Sequence, residues 1–246
     1  MKWLFHLGRY WLFLKQAFSK PEKYSIYKRQ FNRELDNFGY GSLGIVALVS
    51  VFMGAVITIQ TVYNLVNPLV PLSAVGIVVR DSIIIEFAPT MISLVLAGKI
   101  GSSIAGEIGT MRVTEQIDAL EIMGINSAAY LVLPKILAAI FIFPFIVVIA
   151  MFLGIGGGFV AGVAANVISS ADMIRGLQDS FLPFNVTFAI IKTITFAFLI
   201  TTISSYHGYY TEGGALEVGQ SSTRAVVYSS ILILIFDYIE TQLLLA

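Results

Sequence analysis

Five long apolar stretches constrain this chain more than any other feature of its sequence. A helix needs about 20 mostly apolar residues to cross the hydrocarbon core of a membrane. Hydrophobic residues make up 57% of the chain and charged residues only 12%, which leaves too little polar material to cover a water-facing surface. The sequence therefore predicts an all-α integral membrane protein, with spans at 41–66, 72–98, 130–158, 184–206 and 225–245.

The first 40 residues differ from the rest of the chain. Residues 1–18 carry their polar side chains on one helical stripe and bulky apolar side chains elsewhere, which predicts a helix lying in the membrane interface. Residues 20–39 are polar and basic, and we expect them to link this helix to the first span. The chain is thus read as one membrane domain, 1–246, with the transmembrane bundle at 41–246.

The distribution of Lys and Arg predicts how the chain is oriented. Residues 1–40 contain eight of the 15 basic residues, residues 99–135 contain three, and Arg224 borders the connection before the last span. Loops rich in Lys and Arg face the cytoplasm. The N-terminus is therefore expected in the cytoplasm, and five spans place the C-terminus on the outer side.

Small residues recur at every fourth position in two stretches. Such faces let helices approach closely in a membrane, either within one chain or between two copies in a homodimer, and both readings stay open. The apolar run 131–165 is longer than one span requires. We therefore expect its glycine-rich part, 154–162, to kink, to re-enter the membrane or to cross it. A sixth short element in this region is a further alternative. The two faces are Ala97, Gly101, Ala105 and Gly109, and Gly154, Gly158 and Gly162.

Several kinds of chemistry are missing from the sequence. The chain has no cysteine, its two histidines are His6 and His207, and no phosphate-binding G-x-x-x-x-G-K-[ST] loop is present. We therefore expect no catalytic residue, no metal site and no cofactor in this chain, and ATP would have to be hydrolysed by a separate subunit. The formal net charge is zero, so nucleic acid is not expected as a partner.

The connection between the second and third predicted spans is amphipathic. A short helix beginning at a Thr110 or Thr114 cap and ending before Gly124 is predicted there. Such a helix could fit a groove on a motor subunit, or it could lie on the membrane surface; spacing alone does not decide. Its apolar face is Val113, Ile117 and Leu120, and its acidic face is Glu115, Asp118 and Glu121.

The stretch AGKIGSSIAGEIGTMRVTEQIDALEIMGI closely resembles the hallmark of the MlaE-type permease family. The chain length, N-terminal helix and five-span plan also resemble that family. The resemblance implies a homodimeric ABC permease in the bacterial inner membrane. It further implies transport of phospholipid or a related lipid between that membrane and a periplasmic MCE-domain protein, a cytoplasmic ABC ATPase, and in some systems a small STAS-domain protein.

The resemblance also implies roles for individual residues. Family members commonly carry an arginine in the second span where this chain has Ile85, although the following Glu86 and the later Pro89 match; Arg80 is a candidate substitute for it. The family's ATPase-coupling role transfers to Glu107, Gly109, Met111, Arg112, Thr114, Glu115, Gln116 and Asp118.

Three charged residues lie inside predicted spans. At 1.5 Å per residue, Glu86, Lys192 and Asp237 reach a similar level in the outer half of the membrane. Charges in a span are costly and are usually paired or functional. We predict a neutralising cluster, which either holds three spans together or lies beside the substrate route.

The first span contains a polar-tipped face. Ile57, Gln60 and Asn64 share one helical side, with Tyr63 adjacent. This face suits an amphipathic substrate, and helix packing with satisfied amides is an equal alternative.

Two other functions compete with the lipid permease. A secondary transporter of a small solute would use Glu86 and Asp237 as proton sites, and a membrane scaffold would transport nothing. Neither explains the folded element expected at residues 107–124.

Overall fold

A computed structural model describes residues 2–19, 24–65 and 69–245 of the chain, and within these ranges the structure is helical without strands. The helices are α1 Lys2–Ala17, α2 Tyr24–Asn64, α3 Ser73–Val113, α4 Gln116–Ile122, α5 Ser127–Ala164, α6 Ser170–Gln178, α7 Pro183–Tyr209 and α8 Ala215–Leu245.

Five of these helices are long and apolar enough to cross a membrane. Within the described ranges they are α2, α3, α5, α7 and α8, with mean hydropathies from 1.4 to 3.1. The prediction of an all-α protein with five spans is confirmed. Helix α7 lies at the centre, since 61% of its most apolar window is buried, whereas α8 lies at the edge with 11%.

Helix α1 packs across one end of the bundle. Phe13 is fully buried, and its ring centroid lies 5.2 Å from that of Tyr209. The Tyr10 hydroxyl donates a 2.7 Å hydrogen bond to Thr202 Oγ1. Burial raises the pKa of the Tyr10 phenol, which keeps it protonated as a donor. The opposite side of α1 exposes large apolar residues, including Trp11; its placement in the membrane interface stays a prediction.

The residues predicted to link α1 to the first span, 20–39, are helical in their described part. Residues 24–39 belong to α2, which continues into the first span without a break, and residues 20–23 lie outside the described ranges. Tyr27, Glu34 and Phe38 are buried on one side of this helix. Their spacing of seven and four residues gives a packed stripe, and the polar composition of the other sides concealed it.

The second span is longer than predicted. The helix does not end near residue 98 but continues to Val113, with π-helical turns at Ile83–Met91 and Ala97–Gly101. Pro89 lies in the first π-helical segment. Proline lacks an N–H and clashes with the preceding turn of an α-helix, and the wider π turn accommodates this interruption.

The small-residue face of α3 packs inside the chain. Gly101 lies against Ser204, and Gly109 lies against Thr211 and Val218. A methyl group on Gly208 would come within 2.8 Å of the Ala105 carbonyl oxygen. These contacts with α7 and α8 explain why the helix extends through a region that looks polar in sequence. For this face, internal packing is the reading that the structure supports.

The glycine-rich part of α5 is an uninterrupted part of that helix. It remains helical to Ala164 and packs along α2, so residues 154–162 form neither a re-entrant turn nor a separate sixth element. A side chain on Gly54 would overlap the carbonyl oxygen of Gly154, and one on Gly158 would press on Thr58. The short helix α6 comes after the span rather than within it.

Candidate functional site

An ion cluster joins three spans inside the bundle. Lys192 on α7 places its Nζ 3.0 Å from Glu86 Oε2 on α3 and 2.6 Å from Asp237 Oδ1 on α8. Thr90 Oγ1 donates a 2.8 Å hydrogen bond to the same Asp237 oxygen. The structure thus brings together the three charged residues singled out in the sequence. We call Glu86, Lys192 and Asp237 the Lys192 cluster.

The members of the Lys192 cluster differ in exposure. The Lys192 side chain is completely buried and that of Asp237 is 14% exposed, whereas Glu86 is 43% exposed. A buried ammonium without a partner is strongly destabilising, so Lys192 depends on the two carboxylates. Because Glu86 lies on the open side, it is the member that a lipid or another subunit can reach.

A second ion cluster lies nearer the N-terminal end of α5. Lys135 Nζ lies 2.6 Å from Glu34 Oε1 on α2 and 2.6 Å from Glu107 Oε2 on α3. Lys135 is only 3% exposed. Sequence reasoning missed this cluster because Lys135 was counted with the basic residues of the cytoplasmic connection; its position inside the apolar run of the third predicted span was the available signal. Glu107, predicted to contact an ATPase, has an internal partner here.

The connecting segment, residues 110–124, is folded but not as predicted. Helix α3 ends at Val113, and α4 begins at Gln116 after Glu115 adopts a left-handed conformation with φ of 58°. The hydroxyl of Thr114 donates to the Thr110 carbonyl in α3, so neither threonine caps α4. The predicted end is correct, because Gly124 follows α4 with φ of 77°.

Internal contacts fix the connecting segment on the bundle. Ile117 is fully buried, and Arg112 Nη1 lies 2.6 Å from Asp118 Oδ1. Glu121 Oε1 accepts hydrogen bonds of 2.8 Å from Ser127 Oγ and 2.9 Å from the Tyr209 hydroxyl. Glu121 therefore ties α4 to the beginning of α5 and the end of α7.

The predicted faces of the connecting segment are divided differently. Val113 lies on α3 while the other two members of the apolar face lie on α4, and Glu121, although exposed, also binds Ser127 and Tyr209 of the bundle. The outward surface includes two apolar residues that sequence reasoning missed, Ile122 at 88% and Met123 at 65% exposure.

The eight residues assigned to ATPase coupling fall into two groups. Those with exposed side chains are Glu107, Thr114, Glu115, Gln116 and Asp118, while Met111 and Arg112 are partly buried and Gly109 is buried. Glu107 and Asp118 remain accessible although each forms an ion pair within the chain.

The four predicted substrate-lining residues differ in exposure. Ile57 is buried, while Gln60, Tyr63 and Asn64 are exposed. Ile57 and Asn64 are seven residues apart and lie on one side of α2, and Asn64 is the last residue of that helix, so their common face stays a prediction. No cavity described in this chain is lined by them.

Arg80 does not replace the arginine missing from the second span. It is 3% exposed, pairs with Asp81 at 2.9 Å, and donates to the carbonyls of Leu177 and Asp179 at 3.0 and 2.6 Å. Its donors fix the turn after α6 and are not directed at a headgroup. Among the described residues, no group of three His, Asp or Glu side chains is arranged to hold a metal ion.

The spans, the buried ion clusters and the anchored connecting segment define a polytopic α-helical membrane protein. The model of the family Permease MlaE matches residues 31–243. The chain therefore belongs to the MlaE permease family, whose members are transport subunits.

Individual relatives agree with this assignment. A probable ABC transporter permease protein of Rickettsia bellii is 38% identical over 237 residues, covering 96% of this chain and 91% of the relative. The chloroplastic protein TRIGALACTOSYLDIACYLGLYCEROL 1 of Arabidopsis thaliana is 33% identical, covering 88% of this chain and 62% of the relative. The intermembrane phospholipid transport system permease protein MlaE of Haemophilus influenzae is 29% identical, covering 86% and 81%.

Proposed function

We propose that this chain is the permease subunit of an ABC transporter that moves phospholipid or a related lipid between the bacterial inner membrane and a periplasmic MCE-domain protein. The observation that carries the proposal is the connecting segment, a folded element anchored to two spans by Glu121. The names of two relatives support a lipid as the substrate, because one refers to intermembrane phospholipid transport and the other to a galactolipid.

The connecting segment receives movement from an ATPase in this proposal. The sequence has no phosphate-binding loop of its own, so ATP is bound by a separate cytoplasmic chain. Exposed Ile122 and Met123 supply an apolar contact surface, and exposed Glu115 and Gln116 supply polar contacts beside it. Desolvated apolar residues at the centre of an interface carry most of its binding free energy.

The complex contains two copies of this chain, because an ABC motor has two ATP-binding subunits to engage. The N-termini lie in the cytoplasm and the C-termini in the periplasm, as the distribution of basic residues indicates. A STAS-domain protein is a further partner in some related systems. We assign no cofactor and no catalytic residue to this chain.

A pull-down tests the ATPase contact. We expect the double variant Ile122→Ser and Met123→Ser to insert normally and to lose most co-purification with its ABC ATPase. The matched control is Leu72→Ser with Leu182→Ser, which removes two exposed aliphatic side chains, 44% and 61% exposed, near the other end of the bundle. Wild-type recovery of the ATPase with the first variant would contradict the coupling assignment.

An ion-coupled secondary transporter is the second candidate. The observation that favours it is the pair of carboxylates in the Lys192 cluster, one of them partly exposed. Such a protein would transport in proteoliposomes under an ion gradient alone, without an ATPase. A scaffold would tolerate neutral replacements of all three residues with no loss of activity in the assembled complex.

A further inference from the structure

A cavity of about 620 Å³ lies between α1, the end of α7 and the beginning of α8. It is lined by aromatic, cationic and polar side chains, and no function discussed above uses it. The lining residues on which the argument depends are His6, Arg9, Tyr206, Tyr210, Arg224 and Tyr228.

Two arginines of this lining are available for an anion. The Arg9 guanidinium carbon lies 3.7 Å from the centroid of the Tyr210 ring, and Arg224 Nη2 makes one long contact of 3.5 Å with Gln220 Oε1. Among the described residues, no carboxylate lies within ion-pair distance of either arginine. Two glutamates, Glu212 and Glu217, also line the cavity, and Glu217 Oε2 accepts the Gly214 N–H at 2.8 Å.

The rest of the lining combines aromatic and aliphatic side chains with uncharged polar ones. The His207 and Tyr228 rings are stacked with centroids 5.2 Å apart, and the Tyr206 hydroxyl lies 3.2 Å from His6 Nδ1. Further along α8, Ile231 and Leu234 are exposed on the outer surface of the bundle. A ligand with an anionic head in the cavity could therefore continue along an apolar helix face.

This arrangement matches one class of ligand. Arginine presents a planar fork of N–H donors that binds phosphate oxygens in pairs. Pockets of about 300–1,000 Å³ bind small ligands, and a glycerophosphate group fits well within that range. The exposed apolar side of α1 lies beside the cavity, which places the cavity at the headgroup level of a leaflet if α1 lies in the membrane interface.

We propose that this cavity binds the phosphate-bearing headgroup of a lipid from the leaflet that holds α1, with Arg9 and Arg224 as the phosphate ligands. The lipid acyl chains lie outside the cavity along α8. The proposal rests on the chain being a membrane protein and does not depend on lipid being the transported substrate.

Native mass spectrometry of the purified full-length chain in detergent tests the site. The probes are phosphatidylglycerol, a diacylglycerol with the same acyl chains but no phosphate, and glycerol 3-phosphate, which has the phosphate but no chains. We expect phosphatidylglycerol to be retained with an apparent affinity at least tenfold higher than either of the others. Equal retention of diacylglycerol would overturn phosphate recognition, and equal affinity for glycerol 3-phosphate would overturn a lipid as the ligand.

Variants locate the binding. The double variant Arg9→Gln and Arg224→Gln is expected to lower the apparent affinity for phosphatidylglycerol at least tenfold. The charge-matched control Lys15→Gln and Lys28→Gln removes two exposed cations outside the cavity. It should change the apparent affinity for phosphatidylglycerol less than twofold. An equal loss of phosphatidylglycerol affinity in both double variants would show that the lipid is bound by general electrostatic attraction, and it would overturn the site.

A third variant keeps the test informative if the double arginine variant is unstable. Gln220→Glu is nearly isosteric, is exposed, and places a carboxylate beside Arg224. We expect it to keep the thermal stability of the wild type and to lower phosphatidylglycerol affinity several-fold. Unchanged affinity in this variant would show that Arg224 does not contact the phosphate.

Discussion

Replacement of Lys192 by methionine tests the Lys192 cluster as a structural unit. Methionine fills nearly the same volume but carries no charge, so Asp237 and Glu86 lose their shared ammonium. Glu86 is 43% exposed, while Asp237 is 14% exposed and keeps only the Thr90 hydroxyl as a hydrogen-bond donor. The cost of the substitution should therefore fall mainly on Asp237.

The size of the effect follows from the burial of this pair. Removing one partner of a buried ion pair costs about 3–5 kcal/mol. A chain of this length loses about 2–4 °C of melting temperature per kcal/mol, so Lys192→Met should lower the melting temperature by roughly 10 °C. The double variant Lys192→Met and Asp237→Asn no longer buries an unpaired carboxylate, and the oxygen of the introduced amide would still accept from Thr90. It should recover at least half of the loss.

Differential scanning fluorimetry in one detergent measures both variants. Lys28→Met, which removes an exposed lysine, is the control and should melt within about 1 °C of the wild type, since surface substitutions change stability by less than about 0.5 kcal/mol. If the double variant melts no higher than Lys192→Met alone, Lys192 and Asp237 do not stabilise each other. The pairing seen in the structure would then have no energetic consequence.

Two further predictions address helix packing and the connecting segment. Gly54→Ala should destabilise the chain by about 1–3 kcal/mol, because the added methyl group meets the Gly154 carbonyl. Gly44 has open space around it, so Gly44→Ala should be neutral or slightly stabilising. Thermal melting compares the two variants, and equal melting temperatures would contradict the close α2–α5 contact. Tyr209→Phe removes the hydroxyl that binds Glu121. It should reduce lipid-stimulated ATP hydrolysis by the assembled complex and leave co-purification of the ATPase unchanged. Unaltered stimulation of ATP hydrolysis would show that this hydrogen bond does not transmit movement.

The number and the approximate centres of the spans could be predicted from the sequence, because mean hydropathy alone determines which helices can cross a membrane. The ends of the spans could not be predicted from the sequence. The polar residues of 24–39 continue α2 because Glu34 pairs with Lys135, and α3 continues past residue 98 because Gly101, Ala105 and Gly109 pack against two other helices. A composition pattern does not contain such tertiary contacts.

The candidate site was predictable to a similar degree. Helical rise placed Glu86, Lys192 and Asp237 at one level, and the structure brings them into contact, although their role is untested. The burial of residues along α2 depends on what packs against it, so spacing along one helix did not show that Ile57 is buried while Gln60, Tyr63 and Asn64 are exposed. The cavity beside Arg9 joins residues about 200 positions apart, and no local pattern indicates it.

Lipid transfer in a reconstituted system tests the central claim most directly. The purified chain is placed in proteoliposomes with the ABC ATPase that co-purifies with it and a labelled phospholipid, and an MCE-domain acceptor protein is added on the periplasmic side. We predict exchange of the labelled lipid between membrane and acceptor that requires ATP hydrolysis and is abolished when the ATPase is omitted. Transport that proceeds without the ATPase under a proton gradient alone would contradict the account.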